Sequence, residues 1–106
     1  MIDHGNSLGN PNPHHLYEIR DTGENDVFKY GISDDAIEKD GLSKRLRTQV
    51  AFLNRAVGWL RFVGAILIRN IPGRTRAREI EDEYIDRYFE EKGRKPRGNP
   101  LGGTKK

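Results

Sequence analysis

Apolar and polar side chains alternate along His15–Arg20 (HLYEIR), where Leu16, Glu18 and Arg20 are set against Tyr17 and Ile19. A period of two predicts a strand. Asp21–Asp26 (DTGEND) is turn chemistry, and Val27–Ser33 (VFKYGIS) is a second β-prone run, so the pair predicts an antiparallel hairpin. Gly31, near the end of the second run, predicts a bulge or a close approach by another group. Asp34–Gly41 reads as an acidic loop or a single helical turn. The period then changes. Leu42, Leu46, Val50, Leu53 and Val57 recur at helical spacing behind Ser43, which can cap a helix running to about Val57, and Gly58 can end it. Leu60–Asn70 (LRFVGAILIRN) is the most apolar run and reads as the buried central strand of a small sheet. After the Pro72-Gly73 turn, Thr75–Phe89 carries Ala77, Ile80, Tyr84, Ile85 and Tyr88 on one helical stripe.

The predicted order is β-β-α-β-α, a compact α/β (α+β) domain of three strands with helices packed on them. Residues 14–92 form that domain. Residues 1–13 (MIDHGNSLGNPNP), rich in Gly, Asn and Pro, read as a flexible arm. Residues 93–106 (GRKPRGNPLGGTKK) read as a largely extended, basic Gly/Pro-rich tail.

Charge changes the picture more than length does. The net charge of +3 conceals an asymmetry: residues 1–41 carry nine acids and three bases, whereas residues 42–106 carry seven acids and sixteen bases, eleven of them arginine. Arginine binds phosphate in a planar, bidentate manner, so a nucleic-acid backbone is the leading expected partner over a merely solvated basic surface. With no cysteine, disulfides and thiolate zinc sites are excluded. No apolar run approaches about 18 residues, so no membrane-spanning helix is predicted. The polar N-terminus has no signal-peptide core.

Within the last helix, Glu81 falls inside the apolar row 77, 81, 84, 88, while Glu79, Asp82, Glu83 and Asp86 lie outside it. A carboxylate turned toward a core costs several kcal/mol unless an arginine, a hydrogen-bond network or a metal ion pairs with it. Glu81 is therefore the first candidate functional residue, against the plainer reading of a structural ion pair. Arg74, Arg76 and Arg78 crowd the first turn of this helix, where free N–H groups already carry partial positive charge. A bound phosphate would resolve that conflict, as would local screening by Glu79, Asp82 and Glu83. His14 and His15 are adjacent on a strand and point to opposite faces, so they cannot easily chelate together, and an ordinary exposed pair or an arm is expected over metal ligands or general bases. Tyr17 and Tyr30 lie on neighbouring strands, with core packing or general-base work both open.

Together these pieces resemble the GIY-YIG (URI) nuclease superfamily. His15-Leu16-Tyr17 stands at the first motif and Lys29-Tyr30-Gly31-Ile32-Ser33 at the second. Arg45 stands at the first-helix arginine, with Gln49 where many relatives carry histidine. Glu81 stands at the helical glutamate and Asn99 at the late asparagine. The resemblance covers roughly residues 15–99 and implies a three-stranded antiparallel sheet flanked by helices. The signature's first glycine is His15 here. Lys29 falls at the usual second tyrosine with Tyr30 beside it, so either could assist. The long stretch between Gly31 and Arg45 leaves Arg45 and Arg47 both open.

The resemblance further implies phosphodiester hydrolysis with one divalent ion, Mg2+ or Mn2+, held by Glu81. Tyr17, with Lys29 or Tyr30, would act on the attacking water, and Arg45 would stabilise phosphoryl charge. Arg47, Arg74, Arg76, Arg78 and Asn99 would hold the strand. DNA stands ahead of RNA as expected substrate. The small size and extended ends resemble the C-terminal toxin domain of a bacterial polymorphic or contact-delivered toxin, acting on cytoplasmic nucleic acid after delivery and countered by an immunity protein. The alternative expectation is a non-catalytic nucleic-acid-binding module of the same fold.

Overall fold

A computed structural model describes residues 9–105 of the chain. Over them the chain forms β1 (Pro13–Asp21), β2 (Asp26–Ser33), α1 (Lys44–Val57), β3 (Phe62–Pro72) and α2 (Gly73–Lys92). The three strands make one antiparallel sheet in the order β2-β1-β3. This is the α+β architecture expected from the pattern, with one correction. The most apolar run, β3, is an edge strand, and β1 is the centre. Along β3 the side chains of Val63 and Leu67 stay exposed, whereas Leu16, Tyr17 and Ile19 of β1 are fully enclosed. Apolar content marks a strand but not its position in the sheet, which depends on which strands find partners on both sides.

The sheet is covered on both faces because successive β1 side chains point to opposite sides. Leu16 packs with Ile32, Ile71 and, from α2, Ala77, Ile80 and Tyr84. Tyr17 and Ile19 pack with Phe62 and, from α1, Leu46, Val50 and Leu53. Each helix therefore turns the stripe its spacing predicts toward the sheet, except that Val57, at the end of α1, is exposed. Ser43 caps α1 by accepting from the Leu46 N–H, and Gly58 closes it in the left-handed region at φ 83°. Asn54 then joins the end of α1 to β3, donating to the Phe62 carbonyl at 3.0 Å and accepting from the Phe62 N–H at 2.6 Å.

The two ends of the chain take up positions on this core. Residues 1–8 of the expected arm lie outside the described residues, as does Lys106 of the tail. Asn10 is buried, and its carbonyl accepts from the Arg74 N–H at 2.9 Å. The tail folds back along β2. The Gly98 N–H donates to the Phe28 carbonyl at 2.8 Å, and the Asn99 amide brackets the Tyr30 peptide with two 2.8 Å bonds. Arg97 reaches Asp21 Oδ2 at 2.6 Å, and Arg61 grips the same buried carboxylate at 2.6 and 2.8 Å. The tail thus covers the β2 edge that would otherwise be open.

Candidate active site

The geometry begins with the β1–β2 register, which sets Tyr17 opposite Gly31. A Cβ on Gly31 would overlap the Tyr17 ring carbon and hydroxyl, so glycine is what lets the phenol lie across β2. This is the close approach expected at that position. The Tyr17 hydroxyl oxygen accepts from Gln49 Nε2 at 2.9 Å, and Gln49 Oε1 accepts from Lys29 Nζ at 3.1 Å. One amide on α1 therefore joins a residue of β1 to a residue of β2. Arg45 lies one turn before Gln49 on the same flank of α1, since residues four apart share a face.

Burial pushes the Tyr17 phenol up, and hydrogen bonding and charge from Arg45 oppose that shift. Burial pushes the Lys29 ammonium down, and the charge of Arg45 adds to the effect while Glu81 opposes it. Glu81, on α2, keeps only 14% of its side chain exposed. Burial pushes its carboxyl up, against Arg78, Lys29 and Arg74. Arg78 Nε stands 3.6 Å from Glu81 Oε1. Tyr17, Lys29, Arg45, Gln49 and Glu81 thus form one electrostatic neighbourhood drawn from four elements. Groups whose protonation equilibria are shifted by burial and by specific charged neighbours in one place mark a candidate functional site.

The remaining candidate residues are placed elsewhere. Tyr30 faces away from Tyr17, paired with Glu18 across the strands, and its ring meets Tyr84 edge-on at 5.5 Å. Burial, with Glu18 and Glu91 nearby, pushes its phenol up to about 12. Arg47 is held on the outer surface by Glu38 at 2.5 Å and Asp40 at 3.2 Å. Arg76 pairs with Glu79 and Glu83, so local acids screen the start of α2 at that residue. Asn99 holds β2 through the Tyr30 peptide and has its amide engaged there. His14 and His15 are not an exposed pair but both buried, because β1 is the central strand and is covered on both faces: His14 donates from Nδ1 to the Asn12 carbonyl at 2.6 Å, and His15 Nε2 meets Ser43 Oγ at 3.1 Å.

Sequence reasoning placed Arg45 and Gln49 on one flank but missed Gln49 as the bridge between Tyr17 and Lys29. The signal was present in that four-residue spacing. Asp21 was read as a turn residue, and its pairing with Arg61 and Arg97 spans 40 and 76 residues, a separation that no local pattern encodes.

Among the described residues, no group of three or more His, Cys, Asp or Glu side chains could hold a metal ion. A single, mostly buried carboxylate such as Glu81 fits a hard divalent ion that takes its other ligands from water and phosphate rather than from an all-protein cage. No helix among the described residues is long and apolar enough to cross a membrane.

A family model described as URI fold toxin 2 matches residues 7–93. That span contains all five residues of the neighbourhood. No curated protein and no solved structure matches the chain.

Proposed function

The chain belongs to the URI fold toxin 2 family, and on that premise we propose that it is a metal-dependent endonuclease whose site is Tyr17, Lys29, Arg45, Gln49 and Glu81. The observation that carries this reading is the Tyr17–Gln49–Lys29 hydrogen-bond chain, set within the charge fields of Arg45 and Glu81.

Glu81 would hold one Mg2+ or Mn2+ ion, which when bound supplies positive charge at the scissile phosphate and leaving oxygen. Lys29 is the better general base. Its lowered pKa makes the neutral amine more accessible, and that amine would take the proton from the attacking water as the new P–O bond forms and the scissile P–O bond breaks, the departing oxygen leaving with that electron pair and taking its proton from solvent. Tyr17 is the donor. Its raised pKa keeps the phenol protonated near neutral pH. The hydroxyl oxygen already accepts from Gln49, which leaves the O–H to orient water or a phosphoryl oxygen. Arg45, exposed on α1, stabilises the charge that grows on the phosphoryl oxygens. Gln49 fixes the spacing between base and donor, and Arg74 and Arg78 add positive potential beside Glu81.

The test is cleavage of plasmid DNA, with RNA as a second arm, with Mg2+, with Mn2+ and with EDTA. The wild-type chain nicks in either metal and stops in EDTA, and Glu81→Ala stops in all three. Binding without cleavage by the wild type would leave only a nucleic-acid-binding module. In a toxin setting the producing cell needs a neutralising partner, and rescue of a toxic clone by co-expression of a neighbouring reading frame tests that.

A further inference from the structure

Phe52 departs from the logic of α1. The helix buries Leu46 and half-buries Val50 and Leu53, yet Phe52, just beside that stripe, is 69% exposed. A lone exposed apolar residue is ordinary. This one has a defined neighbourhood. It lies three residues after Gln49 and seven after Arg45, so the three form one row along the flank of α1 that carries the proposed site. It also walls an open cavity of about 470 Å³ together with Phe28, Lys29, Gln49, Leu53 and Gly98. That size is within the ~300–1,000 Å³ of small-ligand sites. Gly98 lets the tail close the far side, since a Cβ there would come within 2.8 Å of Lys29 Cβ and the Phe28 ring.

The cavity is apolar, with Phe28 and Phe52 in its lining, and its polar groups are Lys29, Gln49 and Thr48. No carboxylate lines it. The surrounding chain has the same bias, since residues 41–78 contain nine bases and no acid. A flat, apolar ligand attached to a negative backbone fits both properties. Continuity with Lys29 and Gln49 places it next to the phosphate that would be cut.

Resting on the nuclease reading, we propose that this cavity receives an unpaired nucleobase, stacked on Phe52, from the nucleotide beside the scissile phosphate. The consequence is a preference for single-stranded or frayed substrate, because a base within a duplex is already stacked and reaches the cavity only by leaving its partner.

The test uses the full chain with Glu81→Ala, in EDTA at one salt concentration, and reads anisotropy of a labelled single-stranded oligonucleotide. Adding Phe52→Ala weakens binding about tenfold, the scale of one lost base–aromatic stack. Phe52→Trp stays within about twofold and Phe52→Leu loses as much as alanine, since the ring rather than apolar bulk is needed. A single abasic position that weakens binding to the chain with Phe52 intact costs nothing further in Phe52→Ala. Affinity within twofold for Phe52→Ala, equal losses for tryptophan and alanine, or abasic and alanine losses that multiply would each overturn the proposal. Cleavage by the wild type that is indifferent to Phe52 removes the cavity and keeps the nuclease. Strand binding that depends on Phe52 without wild-type cleavage does the reverse. A wild-type chain that neither binds nor cuts any strand removes both.

Discussion

Tyr17 and Tyr30 sit on adjacent strands, one register position apart, and end on opposite faces of the sheet. The same side chain meets two different surroundings. Tyr17 lies under α1, with its hydroxyl on Gln49 and within the fields of Arg45 and Glu81. Tyr30 lies toward α2 against the edge of Tyr84, with Glu18 and Glu91 as its charged neighbours. Both phenols are pushed up, but for Tyr17 cations work against the push, and for Tyr30 carboxylates add to it. Chemistry on phosphate needs positive potential, and at the Tyr17 hydroxyl Arg45 supplies it, whereas on the Tyr30 side Arg87 is stacked on the Tyr84 ring. On the proposed reading, identical residues one position apart divide into a chemical group and a packing group, according to which helix covers them.

The sharpest way to break this contrast is to remove the carboxylate. Glu81→Ala should lower cleavage by about a thousandfold or more while strand binding in EDTA changes only a few-fold. Retained cleavage with Mg2+ would end the assignment. Next, Tyr17→Phe and Lys29→Met should each lower kcat by roughly 10²-fold, whereas Tyr30→Phe should stay within about twofold. Equal losses at the two tyrosines would erase the distinction. Gly31→Ala sharpens it from the backbone side. The new methyl group must displace the Tyr17 ring, so kcat should fall by more than the stability loss of about 1–3 kcal/mol would suggest. Comparing kcat with the midpoint of urea unfolding separates the two effects.

Acidity probes the contrast more gently. Glu81 must be ionised to hold a cation, and its folded pKa is raised. The apparent affinity for Mg2+ should therefore weaken as pH falls through a range above the ordinary carboxylate one, read from the Mg2+ dependence of cleavage at each pH, and Tyr30→Phe should not move that range. The same raised pKa means that the folded state disfavours the charged form, so Glu81→Gln should raise Tm at neutral pH while cleavage is lost. Asp21 behaves in the opposite way. Arg61, opposed by burial and joined by Arg97, holds its carboxyl well below the usual range. Its contribution to stability is present above the unfolded carboxylate pKa of about 3.9 and is lost as pH falls through the lower folded value. Acid titration of Tm should show that loss in the wild type and a flatter slope in Asp21→Asn, whose Tm at neutral pH starts lower because two arginines lose their partner.

Much of the fold was legible in the sequence. The change from a period of two to one of 3.6 located the hairpin and both helices, Ser43 and Gly58 marked the ends of α1, and Glu81 stood out as an acid on an apolar row. Gly31 was readable as a close approach, although not by which group. Register and tertiary contacts decided the rest. The choice of Lys29 or Tyr30 as Tyr17's companion depends on a face, and a slip of one residue would exchange them. Arg45 and Arg47 look equivalent until Glu38 and Asp40 occupy Arg47. The place of β3 at the edge, the tail along β2 and the grip of Arg61 and Arg97 on Asp21 all join residues far apart in the chain. Local periodicity records which side of an element is apolar, because that property belongs to neighbouring residues. What an apolar or charged side finally meets is set by the packing of the whole chain, and there the candidate site is assembled.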